Sequence, residues 1–320
     1  MEFGFAIPNG GVMANRDDVV AISKAGEAAG FDILSSPDHI VMPRTVAPLY
    51  PYSKSGDASF ATMADGNFLE PFALMAFVAA HTERVKLMTS VIVLPYREPV
   101  LTAKLASTID ELSGGRFILG SGAGWMEEEF VAVGAPPFAE RGKITDEYID
   151  IFRELWTKER PTFNGDYSSF DDFMFAPKPK QSPLPIWIGG ESRPAMRRVA
   201  RRADGWFPSD ANPKRAFDTP ARFATAIEEL NGMAADEGRD PASIHLAFWA
   251  ISCAGACDPV VLDSGERKSF TGTADDLISD IKAFQALGVQ TLMFNFLQGS
   301  RTETLEKMDA FVSDIMPHVR

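Results

Sequence analysis

Residues that could transfer a proton or hold a ligand occur in three segments of the 320-residue chain. The first is Asp38-His39, which follows a short apolar run at residues 31–34. An imidazole titrates near neutral pH, so His39 could donate or accept a proton while the adjacent carboxylate positions a ligand or tunes the ring. The alternative is a loop histidine that caps a neighbouring carbonyl, and the dipeptide alone leaves both interpretations open.

The second segment is the glycine-rich run Gly120-Ser121-Gly122-Ala123-Gly124-Trp125. Its glycines would let backbone amides approach a ligand closely. It is not the dinucleotide fingerprint G-x-G-x-x-G, because Trp125 stands where the third glycine belongs. Three glutamates at 127–129 would repel a phosphate at the following helix start, so we expect the loop to line a ring or a ribityl chain. A tight strand-to-helix turn is the alternative, although such a turn needs fewer glycines.

The third segment is Gly189-Gly190-Glu191-Ser192-Arg193, which precedes a predicted helix. Free amides, the Ser192 hydroxyl and the Arg193 guanidinium would together form an anion pocket. Glu191 opposes this interpretation unless its carboxylate points away. The helix continues with four more arginines, for most of which a solvated basic face is the better interpretation. These are Arg197, Arg198, Arg201 and Arg202.

Eight β-rich apolar runs alternate with amphipathic helices along the chain. This alternation predicts an α/β fold, and the count of eight fits a (β/α)8 TIM-like barrel better than a doubly wound sheet. The three candidate segments follow the second, fourth and fifth runs, so in a barrel they share one rim. The predicted strands are residues 2–7, 31–34, 85–93, 116–119, 184–188, 204–207, 243–252 and 290–294.

Residues typical of helix ends support this alternation. Asn15 is a suitable N-cap for a helix that should end just before Gly30. Thr219 precedes a proline at the first position of another helix. The run Thr273-Ala274-Asp275-Asp276 has the pattern of a capping box.

Two segments, 42–69 and 157–184, lack any hydrophobic period and are rich in proline and aspartate. We interpret them as insertions in a single barrel domain that spans residues 1–320. Tyr50-Pro51-Tyr52 in the first insertion favours an ordered, aromatic lid. We expect the two insertions to form the walls of a substrate pocket.

The composition narrows the classes of partner. A net charge of −13 without a long basic run argues against nucleic acid or an anionic membrane surface as the main partner. No apolar run reaches the roughly 18 residues of a spanning helix, and no secretory signal is evident. Cys253 and Cys257 are the only cysteines, which suits a reducing cytoplasm. Their spacing is weak evidence for a metal site, and we predict none.

Long stretches of the chain resemble the bacterial luciferase-like monooxygenase superfamily, and above all its coenzyme F420-dependent oxidoreductases. The resemblance covers nearly the whole chain and implies a TIM-like barrel with insertions. It also implies a deazaflavin or flavin lying across the carboxyl ends of the strands. The most specific stretches are GFDILSSPDHIVMP at 30–43, RVKLMTSVIVLPYREPVLTAKLASTIDELSGGRFILGSGAGWMEEEF at 84–130 and PIWIGGESRPAMRRVARRADGWFP at 185–208.

The resemblance implies roles for individual residues. Asp38 and His39 match the Asp-His pair of the F420 enzymes. Ser90-Val91 matches the position where relatives have a non-prolyl cis peptide that supports the deazaflavin ring. The glycine run matches a cofactor-contacting loop, and 189–193 matches the region of the cofactor tail and phosphate. The predicted cofactor-binding residues are Asp38, Ser90, Val91, Gly122, Ala123, Gly124, Trp125, Gly189, Gly190, Glu191, Ser192 and Arg193.

Two departures from the sugar-phosphate dehydrogenases of this superfamily bear on the substrate. Those enzymes have a glutamate where this chain has Trp125, and a tryptophan where it has Pro43. The acid assigned to chemistry in those relatives is therefore missing. A tryptophan provides a flat apolar wall, which favours a hydrophobic substrate over glucose 6-phosphate.

The residues and the resemblance together predict an F420-dependent oxidoreductase that transfers a hydride between the deazaflavin C5 and a small hydrophobic molecule. His39 and Asp38 are the predicted catalytic residues: His39 would exchange the proton and Asp38 would fix the ring. An FMN-dependent monooxygenase that uses reduced flavin and O2 is the alternative, although SPDH and TSVIVLPY favour F420. A flavin-binding protein without turnover is a third hypothesis. We expect a cytoplasmic homodimer.

Overall fold

The computed structural model of the protein describes residues 1–44, 65–253 and 255–320. The predicted aromatic lid at Tyr50-Pro51-Tyr52 lies outside the described residues. Within them, parallel strands close a barrel that is surrounded by helices. The strands are β1 (Glu2–Ala6), β2 (Ile33–Ser36), β3 (Lys86–Thr89), β4 (Ile92–Val93), β5 (Phe117–Gly122), β6 (Phe163–Asn164), β7 (Ser169–Phe170), β8 (Ile186–Gly189), β9 (Gly205–Phe207), β10 (His245–Ala250) and β11 (Thr291–Phe294).

The order of strands around the barrel follows the chain: β1, β2, β3, β5, β8, β9, β10 and β11. Each pairs in parallel with the next, and β11 closes the barrel by pairing with β1 at Gly4↔Met293. This arrangement confirms the predicted eight-stranded α/β barrel. The second insertion, 157–184, contributes the antiparallel hairpin of β6 and β7 outside the barrel.

Helices cover the outer surface of the barrel, and three of them begin at the caps that the sequence predicts. The Asn15 side chain accepts from the amides of Asp17 and Asp18, and Thr219 accepts from the amide of Arg222. Thr273 forms the predicted capping box. The helices are α1 (Arg16–Ala28), α2 (Pro71–Ala79), α3 (Pro99–Ser113), α4 (Glu127–Ala132), α5 (Arg141–Thr157), α6 (Arg193–Arg202), α7 (Pro220–Asp236), α8 (Ala274–Ala286) and α9 (Arg301–Asp314).

The single strand predicted over 85–93 is wrong, because the structure divides it into β3 and β4. Ser90-Val91 lies between them and is a cis peptide, as expected from the resemblance. β3 pairs with β5 at Leu87↔Phe117, whereas β4 pairs further along β5 at Ile92↔Ser121. The break therefore lies at the carboxyl rim of the barrel.

The interior of the barrel is arranged in layers, because alternate residues of each strand point inward. The middle layer is an apolar cluster, and aromatic and aliphatic side chains on the outward faces pack against the helices. Among the described residues, no helix is long and apolar enough to cross a membrane. The inner cluster consists of Ile33, Met88, Ile118, Trp187, Phe207, Ala247 and Met293.

A polar layer closes the amino-terminal end of the barrel. Lys86 Nζ lies 2.5 Å from Glu2 Oε1, and His245 Nε2 lies 2.9 Å from the hydroxyl of Thr291. That hydroxyl donates to Glu2 Oε2 at 3.3 Å. The His245 ring also stacks on Trp187, with centroids 4.5 Å apart. A cavity of about 370 Å³ opens beside this layer, at the end of the barrel opposite the three candidate segments.

The half-buried imidazole of His245 makes a testable contribution to acid stability. Burial lowers its pKa to about 4, from 6.5 in an unstructured chain. The unfolded chain therefore binds a proton that the folded protein does not, and stability falls as the pH drops from 6.5 towards 4. This shift corresponds to about 3 kcal/mol.

We expect His245→Gln to remove this part of the pH dependence of the unfolding free energy, measured by urea denaturation between pH 7 and 4. The exposed His318 provides a control, since His318→Gln should keep the wild-type slope. Parallel pH profiles for wild type and His245→Gln would contradict the assignment.

Candidate active site

The three candidate segments lie on the carboxyl rim of the barrel. Asp38-His39 follows β2, Ala123-Gly124-Trp125 follows β5, and Gly190-Glu191-Ser192 follows β8. Because all these strands are parallel, their carboxyl ends form the same edge. The structure therefore brings the predicted segments to one end of the molecule.

Asp38 is buried and forms an ion pair with Arg97. The guanidinium donates to both carboxylate oxygens, at 2.7 Å to Oδ2 and 2.9 Å to Oδ1, and the amide of Val93 adds a bond of 2.8 Å to Oδ2. Arg97 also donates to Glu70 at 2.9 Å. One arginine thus connects residues on both sides of the first insertion. Sequence analysis missed Arg97, although its position between two prolines after β4 places it on the rim.

The pKa shifts of this pair follow from burial and from the bonds it makes. Burial raises the pKa of the Asp38 carboxyl, and the bonds from Arg97 oppose that rise. Burial alone would lower the pKa of Arg97, but Asp38 and Glu70 raise it. The hydrogen bonds to the Asp38 carboxylate from the described residues all come from donors, so the structure supports an ionised carboxylate in a positioning arrangement.

His39 is held by a second buried carboxylate, Glu129. Its Nδ1 lies 3.1 Å from Glu129 Oε2, which also accepts from the hydroxyl of Tyr96 at 2.8 Å. The other oxygen, Oε1, accepts from the backbone amides of Ile40 and Val41 at 2.6 and 3.2 Å. Three donors and one imidazole nitrogen therefore surround one carboxylate whose residue is completely buried.

The ionisation of this network follows from those donors. Burial by itself would raise the pKa of Glu129, but the bonds from His39, Ile40 and Tyr96 lower it below its ordinary value. Burial and the neighbouring Glu129 charge raise the pKa of the Tyr96 hydroxyl, so it stays protonated and continues to donate. The structure thus supports an ionised carboxylate at Glu129.

Neither Glu129 nor Tyr96 was predicted from the sequence, where the glutamates at 127–129 were considered only as a repulsive group. A signal for Glu129 was present: it follows Met126 by three residues and precedes Phe130, and both of these are buried. This spacing places Glu129 on the inward face of α4. Glu127 and Glu128 are exposed, as their positions on the opposite face require.

Aromatic side chains border His39. The ring of Phe68 lies 5.4 Å from the imidazole, and that of Trp125 lies 6.4 Å away in an edge-on arrangement at 82°. Trp249 is stacked on Phe207 at 5.8 Å and 13° and packs against the apolar cluster inside the barrel. The rim therefore presents flat apolar surfaces as well as an imidazole.

The glycines of the second segment serve the chain's own packing. Gly120 and Gly122 belong to β5, so the predicted loop begins only at Ala123. A Cβ on Gly120 would collide with the carbonyl oxygen of Thr89. A Cβ on Gly122 or on Gly189 would lie 2.7 Å from a methyl group of Val91, which packs between those two strands. The glycines thus allow residues 89–91 of the chain itself to approach the backbone of β5 and β8 closely.

Gly124 has a different reason for being glycine. Its φ is +83°, a conformation that side chains other than glycine rarely adopt. A Cβ there would also lie 2.7 Å from Phe130 and from Val93. Ala123 and Trp125, on either side, are half-buried at the rim.

The third segment does not assemble the predicted anion pocket from its charged residues. Glu191 points inward and accepts from the amide and hydroxyl of Ser209 and from Asn212. Burial raises its pKa, against the effect of these bonds. Arg193 pairs with Glu229 at 2.7 Å on the exposed side. The backbone of Gly190, with φ +103°, and the N-cap Ser192 remain at the start of α6.

One of the four arginines that follow departs from the solvated face expected of most of them. Arg198 is buried and donates to Asp146 at 2.5 Å and to the carbonyl of Gly142 at 2.8 Å. Its guanidinium joins α6 to α5. Arg202 also pairs across this contact, with Asp150 at 2.9 Å. These two arginines connect helices and do not face the rim.

Comparison with known proteins gives the family. The model of the luciferase-like monooxygenase family matches residues 1–259. The chain belongs to the luciferase-like monooxygenase family. An uncharacterized protein of Mycobacterium tuberculosis is 37% identical over 211 residues, covering 66% of this chain and 71% of that protein. The FMNH(2)-dependent dimethylsulfone monooxygenase of Pseudomonas putida is 28% identical over 282 residues, covering 75% and 76%.

Solved structures share the luciferase-like fold over the full chain. The F420-dependent tetrahydromethanopterin reductase of Methanopyrus kandleri has a TM-score of 0.72 and 16% identity, covering 100% of this chain and 99% of that one. An F420-dependent secondary alcohol dehydrogenase has a TM-score of 0.74 and 19% identity, with the same coverage of both chains. Monooxygenase RslO1 of Streptomyces bottropensis has a TM-score of 0.75 and 18% identity, covering 100% of both chains. The fold is therefore common to F420 enzymes and monooxygenases.

Buried polar atoms at the rim fit the flavin-type ring that this luciferase-like family implies. The hydroxyls of Ser35 and Ser90 and the indole nitrogen of Trp249 are buried and make no hydrogen bond within the described part of the chain. Ser35 and Trp249 lie two residues beyond Ile33 and Ala247 of the apolar cluster, so they belong to the next inward layer towards the rim. Buried polar groups normally have partners, so these atoms suit a ligand that carries donors and acceptors.

The Asp38–Arg97 pair provides a test of how the rim is held. Arg97→Met would leave Asp38 buried without its cation, so we expect a loss of about 3 to 5 kcal/mol in unfolding free energy. Arg16→Met is the control, because Arg16 and its partner Asp17 are both largely exposed and such pairs contribute little. Urea denaturation of both variants measures the difference, and equal midpoints would contradict a structural role for Arg97.

Proposed function

We propose that the protein is an F420-dependent oxidoreductase that transfers a hydride between the deazaflavin C5 and a small, hydrophobic organic molecule. The observation that carries this proposal is the His39 imidazole, held by a buried carboxylate beside Trp125 on the rim. Hydride transfer to or from a carbonyl, imine or activated alkene requires a proton to move as well. A positioned imidazole at this place meets that requirement.

The proposed roles of the chain's residues follow from their contacts. F420, when bound, would supply or accept the hydride. His39 would exchange the proton with the substrate. The Asp38–Arg97 pair would hold the backbone directly before His39 in place. Asp38 is thereby a positioning residue, because its carboxylate is already occupied by Arg97 and Val93. His39 is the residue proposed to take part in the reaction directly.

The residues proposed to hold the cofactor form two groups. The hydroxyls of Ser35 and Ser90 and the indole of Trp249 would bond the polar edge of the ring. Val91 would support its face, and Ala123-Gly124-Trp125 would line its side. The amides of Gly189 and Gly190 and the hydroxyl of Ser192 would meet the tail at the start of α6.

The proposed substrate is apolar because aromatic rings flank the imidazole. Phe68 and Trp125 present flat surfaces on two sides of His39. Of these three side chains, only the imidazole of His39 can exchange protons. A small alcohol, ketone, enone or nitroaromatic compound would satisfy both properties.

An FMN-dependent monooxygenase is the second candidate, and a specific observation favours it. The relative from Pseudomonas putida is named as an FMNH(2)-dependent monooxygenase and is similar over three quarters of this chain. A pyrimidine monooxygenase of Cronobacter sakazakii is 35% identical over 188 residues, covering 58% of this chain and 53% of that protein. The rim described above would accept either ring.

Spectroscopic titration of the apo-protein separates the two candidates. We expect F420 to bind with micromolar or lower Kd and FMN to bind at least about 10-fold more weakly, a difference of about 1.4 kcal/mol. Ser90→Ala should weaken F420 binding, whereas Ser313→Ala, on an exposed helix face, should leave it unchanged. Tighter binding of FMN, with no spectral change for F420, would overturn the proposal in favour of the monooxygenase.

A further inference from the structure

Glu129 lies behind the imidazole, away from any ligand at the rim. Its residue is 0% exposed, so the carboxylate cannot reach a molecule bound in the barrel mouth. It nevertheless bonds His39 directly, at 3.1 Å from Nδ1. Of the groups bonded to Glu129, which also include Tyr96 and the amides of Ile40 and Val41, the histidine is the one that can exchange a proton.

We propose that Glu129 is a positioning residue that holds the neutral His39 ring in the Nδ1-protonated tautomer. In that tautomer Nε2 is the nitrogen that can accept a proton and later return it. The assignment of Nε2 to proton exchange rests on the proposed function. The assignment of the tautomer rests only on the contacts of Glu129.

The hydrogen-bond inventory of Glu129 determines which nitrogen carries the hydrogen. An ionised carboxylate is an acceptor only, so each group bonded to it must donate. The amides of Ile40 and Val41 can only donate, and the Tyr96 hydroxyl points its hydrogen at Oε2. The contact between Oε2 and Nδ1 of His39 is then a hydrogen bond only if Nδ1 is protonated.

The ionised state of Glu129 is itself well supported. Burial raises its pKa, and the bonds from His39, Ile40 and Tyr96 lower it below its ordinary value. The amides of Ile40 and Val41 and the hydroxyl of Tyr96 bond it whichever nitrogen of His39 carries the hydrogen. A proton on Oε1 would have to displace one of the two amides, and a proton on Oε2 would have to reverse the contact with Tyr96 or with His39. Arg97, on the same rim, is bonded to Asp38 and Glu70. Glu129 therefore directs its negative charge at the side of the His39 ring that carries Nδ1.

The same geometry has a consequence for proton transfer. When Nε2 accepts a proton from a substrate hydroxyl, the O–H bond breaks, an N–H bond forms and the ring becomes an imidazolium. F420, when bound, would take the hydride from the carbon that bears this hydroxyl, so that oxidation of the alcohol to a carbonyl would be balanced by reduction of the cofactor. The positive charge then forms on the His39 ring, whose Nδ1–H already donates to the Glu129 carboxylate. A positioned acid–base pair requires such an arrangement.

The tautomer can be measured without cofactor or substrate, by NMR of the whole protein labelled with 15N-histidine. The chain has four histidines, so the His39 signals can be assigned as those absent from His39→Gln. At a pH where the ring is neutral, we expect the proton of wild-type His39 on Nδ1. A wild-type ring protonated on Nε2 would overturn the proposal, whether or not a variant at Glu129 folds.

Variants on α4 separate positioning from a general structural effect. Glu129→Gln keeps the shape but adds donors where acceptors are needed, so we expect His39 to become a mixture of tautomers. Glu128→Gln, on the exposed neighbour, should leave the tautomer unchanged. If Glu129→Gln folds, as judged by its thermal transition, and keeps the wild-type tautomer, the proposal is wrong.

Turnover with F420 distinguishes failure of this inference from failure of the proposed function. With both correct, Glu129→Gln lowers kcat by about 100-fold, in the range expected for loss of acid–base catalysis, while the Kd of F420 is unchanged. A shifted tautomer with no F420 binding in wild type would support the positioning role and overturn the proposed function. If Glu129→Gln keeps the wild-type tautomer and the wild type turns over with F420, the proposed function is supported and the positioning role of Glu129 is wrong.

Discussion

The buried carboxylate of Glu129 is the interaction on which the candidate site depends. Four hydrogen bonds converge on it from the segment after β2 and from Tyr96 after β4, while Glu129 itself lies on the helix after β5. A buried anion is expensive unless its hydrogen bonds are made, so the three segments are stable only in this arrangement. The position and tautomer of His39 follow from the same requirement.

The rim contains two buried carboxylates with different roles, set by their partners. Asp38 is neutralised by the bidentate guanidinium of Arg97 and fixes the backbone. Glu129 is bonded by neutral donors and by an imidazole that can become charged. Only the Glu129–His39 pair changes its net charge when the imidazole gains or loses a proton. This difference explains why adjacent residues, Asp38 and His39, are proposed to act so differently.

The barrel could be predicted from the sequence because its signals are local. Apolar runs, Asn15, Thr219 and the capping box at Thr273 each report on their own segment. The Asp-His pair was also recognisable, since it follows a strand directly. The Glu129–His39 contact joins residues 90 positions apart, so no local pattern encodes it. The glycines were misinterpreted for a related reason: they accommodate Thr89, at the end of β3, and Val91, between β3 and β4, which only the fold brings close.

The central claim, that His39 exchanges the proton in an F420-dependent reaction, is tested most directly by single-turnover kinetics. F420-loaded wild type, His39→Gln and the control His318→Gln would be compared by stopped-flow absorbance with a small secondary alcohol, enone or nitroarene that wild type turns over. We expect unchanged F420 binding in all three proteins and a rate at least about 100-fold lower in His39→Gln alone. An unchanged rate in His39→Gln would contradict it.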